Sequence, residues 1–195
     1  NRATFAFNQA LDGAIIKPLA SAYNILPSPI RTGVGNSMDN LSNLITIPNN
    51  ILQGDLKKAS VNTGRLIINT TLGIFGIFDV AELMGFSEYE KEDYGQTLAV
   101  WGVGPGCYIV LPILGPSTLR DTAGSFINVI GGDPYYNVSA HGNNEYLDTS
   151  DYMLTKTLTA VDFRAKNLET FDNLEKNSLD FYASVKSLYI QDRKR

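Results

Sequence analysis

The run from Gln96 to Leu119, QTLAVWGVGPGCYIVLPILGPSTL, holds 24 residues and no charge. That is long enough to cross a hydrocarbon layer as a helix. Gly102, Gly104, Pro105, Gly106, Pro112, Gly115 and Pro116 forbid a continuous helix there, and lipid tolerates broken backbone only where protein or a cavity surrounds it. Within the run, Tyr108 to Leu111 is the one convincing extended stretch, and the sequence offers it no partner. A lone strand builds no sheet, so the expected fold is all-α with one extended segment near 108–111.

Helix signals lie on both sides. Phe5, Phe7, Leu11, Ile15 and Ile16 give a helical stripe, and Pro18 starts a second short helix through Tyr23. Ser28 reads as an N-cap with Pro29 in the first turn, opening a helix expected to stop before Pro48. Asp55 caps a helix that ends at Gly73, and Asp79 caps a short one that Gly85 ends. Residues 94–101 and 118–130 read as two more. From Tyr152 onward, Leu154, Leu158, Val161, Ala165 and Leu168 step by three and four, predicting one amphipathic helix or a pair with a charged outer face.

Charge is unevenly spread. Only 18% of the 195 residues are charged, against about 25% in ordinary soluble domains. Residues 145–195 carry 17 of the 36 charges, so the body, 1–144, is depleted relative to the C-terminal helical region, 145–195, of what reads as a single domain. Two surroundings produce such a body: a buried core, or a bilayer leaflet that the protein enters without crossing. A net charge of −4 excludes a general nucleic-acid binder, and one cysteine excludes Cys-rich metal sites. The start Asn1-Arg2-Ala3-Thr4-Phe5 lacks a basic-then-apolar leader, which reads as a cytoplasmic or a processed beginning.

Catalytic chemistry is missing. The only imidazole, His141, lies in the polar stretch 137–143, read as an exposed loop. Glu88, Glu90, Glu92 and Asp93 lack the spacing and glycine of a calcium loop and read as a solvated acidic turn. Gly102 to Gly106 precedes the extended run instead of linking a strand to a helix, so it is no dinucleotide loop. Cys107, among apolar neighbours, reads as a buried inert thiol, and Arg193-Lys194-Arg195 as a solvated tail. No enzyme and no cofactor are expected.

More specific are strings that recur in one order: Leu52-Gln53-Gly54; Arg65 with Asn69-Thr70-Thr71-Leu72-Gly73; Phe78-Asp79-Val80-Ala81; Asp93-Tyr94-Gly95-Gln96 with Trp101-Gly102; and Leu114-Gly115-Pro116-Ser117 with Arg120-Asp121. Together with Asn1-Arg2, Phe7-Asn8, Lys17-Pro18, Asn36 and Asn40-Leu41, they resemble the MlaA (VacJ) family over about residues 1 to 128. Ser37 departs from the family, which commonly has an aromatic there, and Cys107 stands where proline is frequent. The resemblance implies a ring of amphipathic helices around a central channel. Such a protein sits in the inner leaflet of a Gram-negative outer membrane, held by a lipidated cysteine that this sequence does not contain. Through the channel, mislocalised phospholipid would leave the outer leaflet for the periplasmic carrier MlaC, and a trimeric porin is the expected neighbour. A scaffold that binds proteins and moves no lipid is the alternative.

Two sets of residues follow. Asn36, Ser37, Asn40 and Asn43 are uncharged polar groups amid Val34, Met38, Leu41 and Leu44, expected at the channel mouth. Arg65, Asn69, Thr70, Thr71, Gly73, Asp79, Asp93, Gln96, Trp101, Gly102, Arg120 and Asp121 are expected to be structural. An unpaired charge beside lipid is costly, so Arg65 and Arg120 should pair with Asp79, Asp93 or Asp121.

Overall fold

The computed structural model of the chain describes residues 1–141 and 147–194. Helices dominate: α1 (Arg2–Leu11), a π-helical turn (Asp12–Ile16), α2 (Lys17–Tyr23), α3 (Ser28–Leu52), α4 (Leu56–Thr71), α5 (Val80–Leu83) and α6 (Tyr94–Val100). A two-stranded hairpin follows, β1 (Tyr108–Leu111) and β2 (Gly115–Thr118), then α7 (Leu119–Ile127), a second π-helical turn (Asn128–Gly132), α8 (Pro134–His141), α9 (Thr149–Lys166), α10 (Leu168–Asn177) and α11 (Phe181–Asp192). The all-α reading stands, and so do the Asp55 and Asp79 caps, whose carboxylates accept the Lys58 and Glu82 amides.

Four local expectations are overturned. Tyr108–Leu111 is not alone: it pairs antiparallel with Gly115–Thr118, Tyr108 opposite Thr118 and Leu111 opposite Gly115. Gly-Pro-Ser-Thr carries almost no strand propensity, so only the pairing reveals it. The outer edge of β1 is closed by amides from α1: Asn1 donates to the Tyr108 carbonyl at 2.9 Å and accepts from the Val110 N–H at 3.0 Å, and Asn8 does the same for Leu111 and Ile113. Helix α3 begins one residue early, with Pro27 at the N-cap and Ser28 in the first turn, and runs through Pro48 to Leu52. Beyond Pro48, Asn49 and Asn50 are fully buried and tied to Thr97 and Asn62, so tertiary hydrogen bonds hold the last turn in register despite the missing N–H. Chain 137–141, read as loop, is helical; residues 142 and 143 lie outside the described residues. After Tyr152 there are three helices rather than one or two.

Contacts between elements run in a closed circuit. α1 packs on β1, β2 on α7, α7 on the second π-turn, that turn on α8, α8 on α9, α9 on α2, and α2 through the first π-turn back to α1. α10 and α11 strap this circuit together. At one end, Asp172 of α10 meets Lys17 at 2.8 Å and Arg164 at 3.3 Å, while Arg164 also holds Asp12 at 3.0 Å. Phe181 and Tyr182 of α11 stack edge-on against Phe5.

Polarity is distributed the wrong way round for a protein in water. Among the described residues, eight apolar side chains are buried, half of them alanine, against eighteen polar or charged ones. Outside lie Ile25, Leu56, Ile67, Leu72, Ile74, Phe75, Leu83, Ile113, Leu114 and Ile130, among many others. A soluble monomer rarely exposes contiguous apolar patches beyond a few hundred Å². The exterior of the body is therefore greasy, and its interior is built of amides, hydroxyls and ion pairs.

Candidate functional site

Helices α3 and α4 form an antiparallel hairpin with a polar seam. On α3 the buried residues are Asn40, Asn43, Thr46, Asn49 and Asn50, and on α4 Asn62, Arg65 and Asn69, each set spaced by three, four or seven along one face. The Asn62 amide donates to Asn50 at 2.8 Å, and Asn40 donates to the Thr70 hydroxyl at 2.9 Å. α6 completes the seam: Thr97 donates to Asn49 at 2.6 Å and accepts from Gln53 at 3.1 Å, and Gln53 also donates to Glu92 at 3.2 Å. Glu92 is thus buried, which overturns the solvated acidic turn. Of the other members, Glu90 pairs with Lys58 at 2.7 Å and Asp93 caps α6.

Loop 72–79 closes one end of the seam. Arg65 forms a short ion pair with Asp79 and donates to the Ser87 carbonyl at 2.9 Å, while Asn69 bridges Asp79 and the Ala81 N–H. Gly76, at φ +89°, lies so close to Asn40 that a Cβ would stand 2.5 Å from the asparagine's own, so no side chain fits there. Gly73 is as tightly enclosed by the Phe78 and Asn69 carbonyls. Asn36 donates to the Ile77 carbonyl at 3.2 Å. The loop is thereby anchored by its polar backbone while Leu72, Ile74, Phe75, Ile77 and Phe78 face outward.

Between these elements is a cleft of about 30 Å³ lined by Asn36, Asp39, Asn40 and Asn43 from α3, by Arg65 and Asn69 from α4, and by Asp79 and Tyr89. The Oδ1 atoms of Asn40 and Asn43 are buried in it without a hydrogen-bond partner. Asp39 has no ion pair among the described residues, and burial pushes its carboxyl up, against the opposing pull of Lys166 and Lys91. Burial likewise pushes the Tyr89 phenol up, and its hydroxyl lies 2.9 Å from that of Thr46. Lys91 is crowded by protein, which pushes its ammonium down with help from Lys156, yet its side chain is open to solvent. A group both crowded and wet faces an internal, hydrated space.

Of the four residues expected at a channel mouth, Asn36, Asn40 and Asn43 come together in the cleft; Ser37, half-buried on α3, does not line it. Thr71 is exposed and bonds only to its own helix. The remaining polar motif residues gather elsewhere. Asp93 and Gln96 form a reciprocal cap on α6, and Trp101, largely exposed, donates to the Leu52 carbonyl at 2.9 Å beside the turn at Gly102. Arg120 pairs with its neighbour Asp121 at 3.0 Å, and Asp121 also accepts from Tyr189 at 2.8 Å. Arg193, expected in solvent, is instead clamped: it donates to Asp93 at 2.8 and 3.2 Å and to Asp121 at 3.2 Å. Burial opposes the charge of Arg193, and the Asp93 hydrogen bonds and charge outweigh it, raising the pKa. Cys107 is exposed, not buried.

Asp39 and Tyr89 escaped the sequence reading of the cleft. The signal for Asp39 was its place between Asn36 and Asn43 on a polar stripe; nothing local marks Tyr89 or Arg193, which reach their partners through the fold.

Among the described residues no helix is long and apolar enough to cross a membrane, and no three His, Cys, Asp or Glu gather to hold a metal. What the fold and the seam define is a helical protein with an apolar exterior and an interior of amides and ion pairs. The family model described as MlaA lipoprotein matches residues 1–195, and the chain belongs to that family. A relative from Rickettsia bellii, an uncharacterised protein, is 37% identical over 99% of this chain and 72% of its own length. The Escherichia coli relative, the intermembrane phospholipid transport system lipoprotein MlaA, is 34% identical over 98% of this chain and 73% of its own. A solved structure described under the structural basis for maintenance of bacterial outer membrane lipid asymmetry superposes with a TM-score of 0.83 at 30% identity, covering 99% of this chain and 94% of that one. The family is one of lipid-transport lipoproteins, not of enzymes.

Proposed function

We propose that this protein lies in the periplasmic leaflet of the outer membrane, anchored through a lipidated cysteine, and gives phospholipids misplaced in the outer leaflet a way out toward the periplasmic carrier MlaC. A trimeric porin is its proposed neighbour. The observation that carries this is the inverted polarity: aliphatic side chains around the body, amides and charges within. A phospholipid moving between leaflets needs a hydrated path for its head group and an apolar one for its tails. Asn36, Asn40 and Asn43 supply uncharged donors and acceptors on the first path, and Ser37 lies one step along the same helix. The second path is supplied by the aliphatic surface. Transfer of this kind is passive, since none of the residues described does covalent chemistry.

Purification provides the first test. The protein should require detergent and carry phospholipid with it; a monodisperse, lipid-free protein without detergent would favour a protein-binding scaffold instead. In a reconstituted assay with labelled phospholipid and MlaC, Asn40→Ala should slow transfer, and unchanged transfer would remove Asn40 from the path.

A further inference from the structure

The small cleft between α3 and α4 has an excess of acceptors that its own side chains leave unused. Asn40 and Asn43 are 7% and 2% exposed, and each presents an Oδ1 with no donor. Such an atom costs about 1–3 kcal/mol if nothing reaches it. Asp39 adds a carboxylate without an ion pair among the described residues. Charges in the cleft do not cancel: Arg65 is taken by Asp79, and that leaves the carboxylate of Asp39 over. Lys166, the nearest opposing influence on Asp39, is held by Asp162 at 2.7 Å. A group that fits must therefore be cationic, offer several hydrogen bonds, accept none, and be small, since about 30 Å³ admits little more than one water molecule.

We propose that this cleft receives the primary ammonium of an ethanolamine head group. The ammonium has three N–H donors, which match Asp39, Asn40 Oδ1 and Asn43 Oδ1 one for one. Choline carries no N–H, and its three methyl groups exceed the space. Lys91, exposed and without an ion pair among the described residues, lies within electrostatic reach of Asp39 and gives the adjoining phosphate its counter-charge. The inference rests on the lipid-transport reading and adds a head-group preference to it.

The test is binding by the whole protein in detergent to short-chain phosphatidylethanolamine and phosphatidylcholine with identical tails. Ethanolamine lipid should bind about tenfold more tightly, the value of one charge-assisted hydrogen bond. Asp39→Asn and Asn43→Leu should each reduce that preference to about twofold or less; Asp39→Asn removes an unpaired charge and should leave the fold intact. Equal binding of both lipids by the wild type, or a preference that survives both substitutions, overturns the proposal and leaves the cleft to ordered water. Free phosphoethanolamine competing as well as the lipid would overturn the lipid assignment. Vesicle-to-vesicle transfer is measured separately: head-group preference without any transfer would sink the transport reading and leave the binding site standing.

Discussion

Helices α6 and α7 touch through two glycines, and the contact sets a sharp expectation for Gly124→Ala. A Cβ at Gly124 would stand 2.4 Å from the Gly95 nitrogen, 2.8 Å from the Gly95 Cα and 2.9 Å from the Tyr94 carbonyl carbon. All three are backbone, so no rotamer change relieves them; the helices must separate. Alanine in a helix interior gains up to about 1 kcal/mol over glycine, whereas overpacking costs about 1–3 kcal/mol and here also loosens the Asp93–Arg193–Asp121 cluster next to it. The net effect should be a loss of about 2 kcal/mol or more. Gly13→Ala is the control, because nothing lies within 4 Å of the Cβ it would add, and it should be neutral or stabilising. Thermal unfolding of both variants in one detergent, followed by circular dichroism, compares them directly. A Gly124→Ala protein as stable as Gly13→Ala would mean that the α6–α7 crossing is not as close as described.

Other consequences can be read in the same way. Arg193→Ala should destabilise by about 2–3 kcal/mol, below the full range for a broken buried pair because Arg120 and Tyr189 still serve Asp121, and chemical denaturation would measure it. Asp121 is held below its ordinary value: burial raises it, and the Tyr189, Thr118 and Arg193 interactions outweigh that. Its folded pKa is depressed, so its contribution is complete above pH 3.8 and fades as pH falls through the folded value; Asp121→Asn should flatten the acid end of a stability–pH curve. Arg120→Ala should lower folded yield more than it lowers transfer by the surviving protein, and intact yield with lost transfer would reverse that assignment. Trp101→Phe removes the indole donor to Leu52 and should cost about 1 kcal/mol, seen as a lower melting temperature.

Helix positions were legible because caps and glycines are local signals: Asp55, Asp79 and Asp93 each cap the helix that follows. Charge depletion in the body was legible too, but composition cannot say which face is turned out. The choice between buried core and greasy exterior needed positions such as Ile67 outside and Arg65 inside on one helix. Pro48 misled because propensity reads one turn at a time, while the seam holds that turn from α4 and α6. Gly115–Thr118 was invisible since its pairing, not its residues, makes it a strand. Of the cleft, the asparagines were legible as a stripe, and Asp39 lay in plain view among them.

Arg193 reaches back 100 residues to Asp93. Until the segment bearing it has been made and delivered, Asp93 and Asp121 face each other across α6 and α7 without the guanidinium that joins them, and the α1–β1 side waits equally for Phe181 and Tyr182. Assembly must therefore finish late and all at once, with contacts of long sequence separation made last. A newly delivered chain stays open along this side while its greasy surface is already formed, which is when it most needs a chaperone.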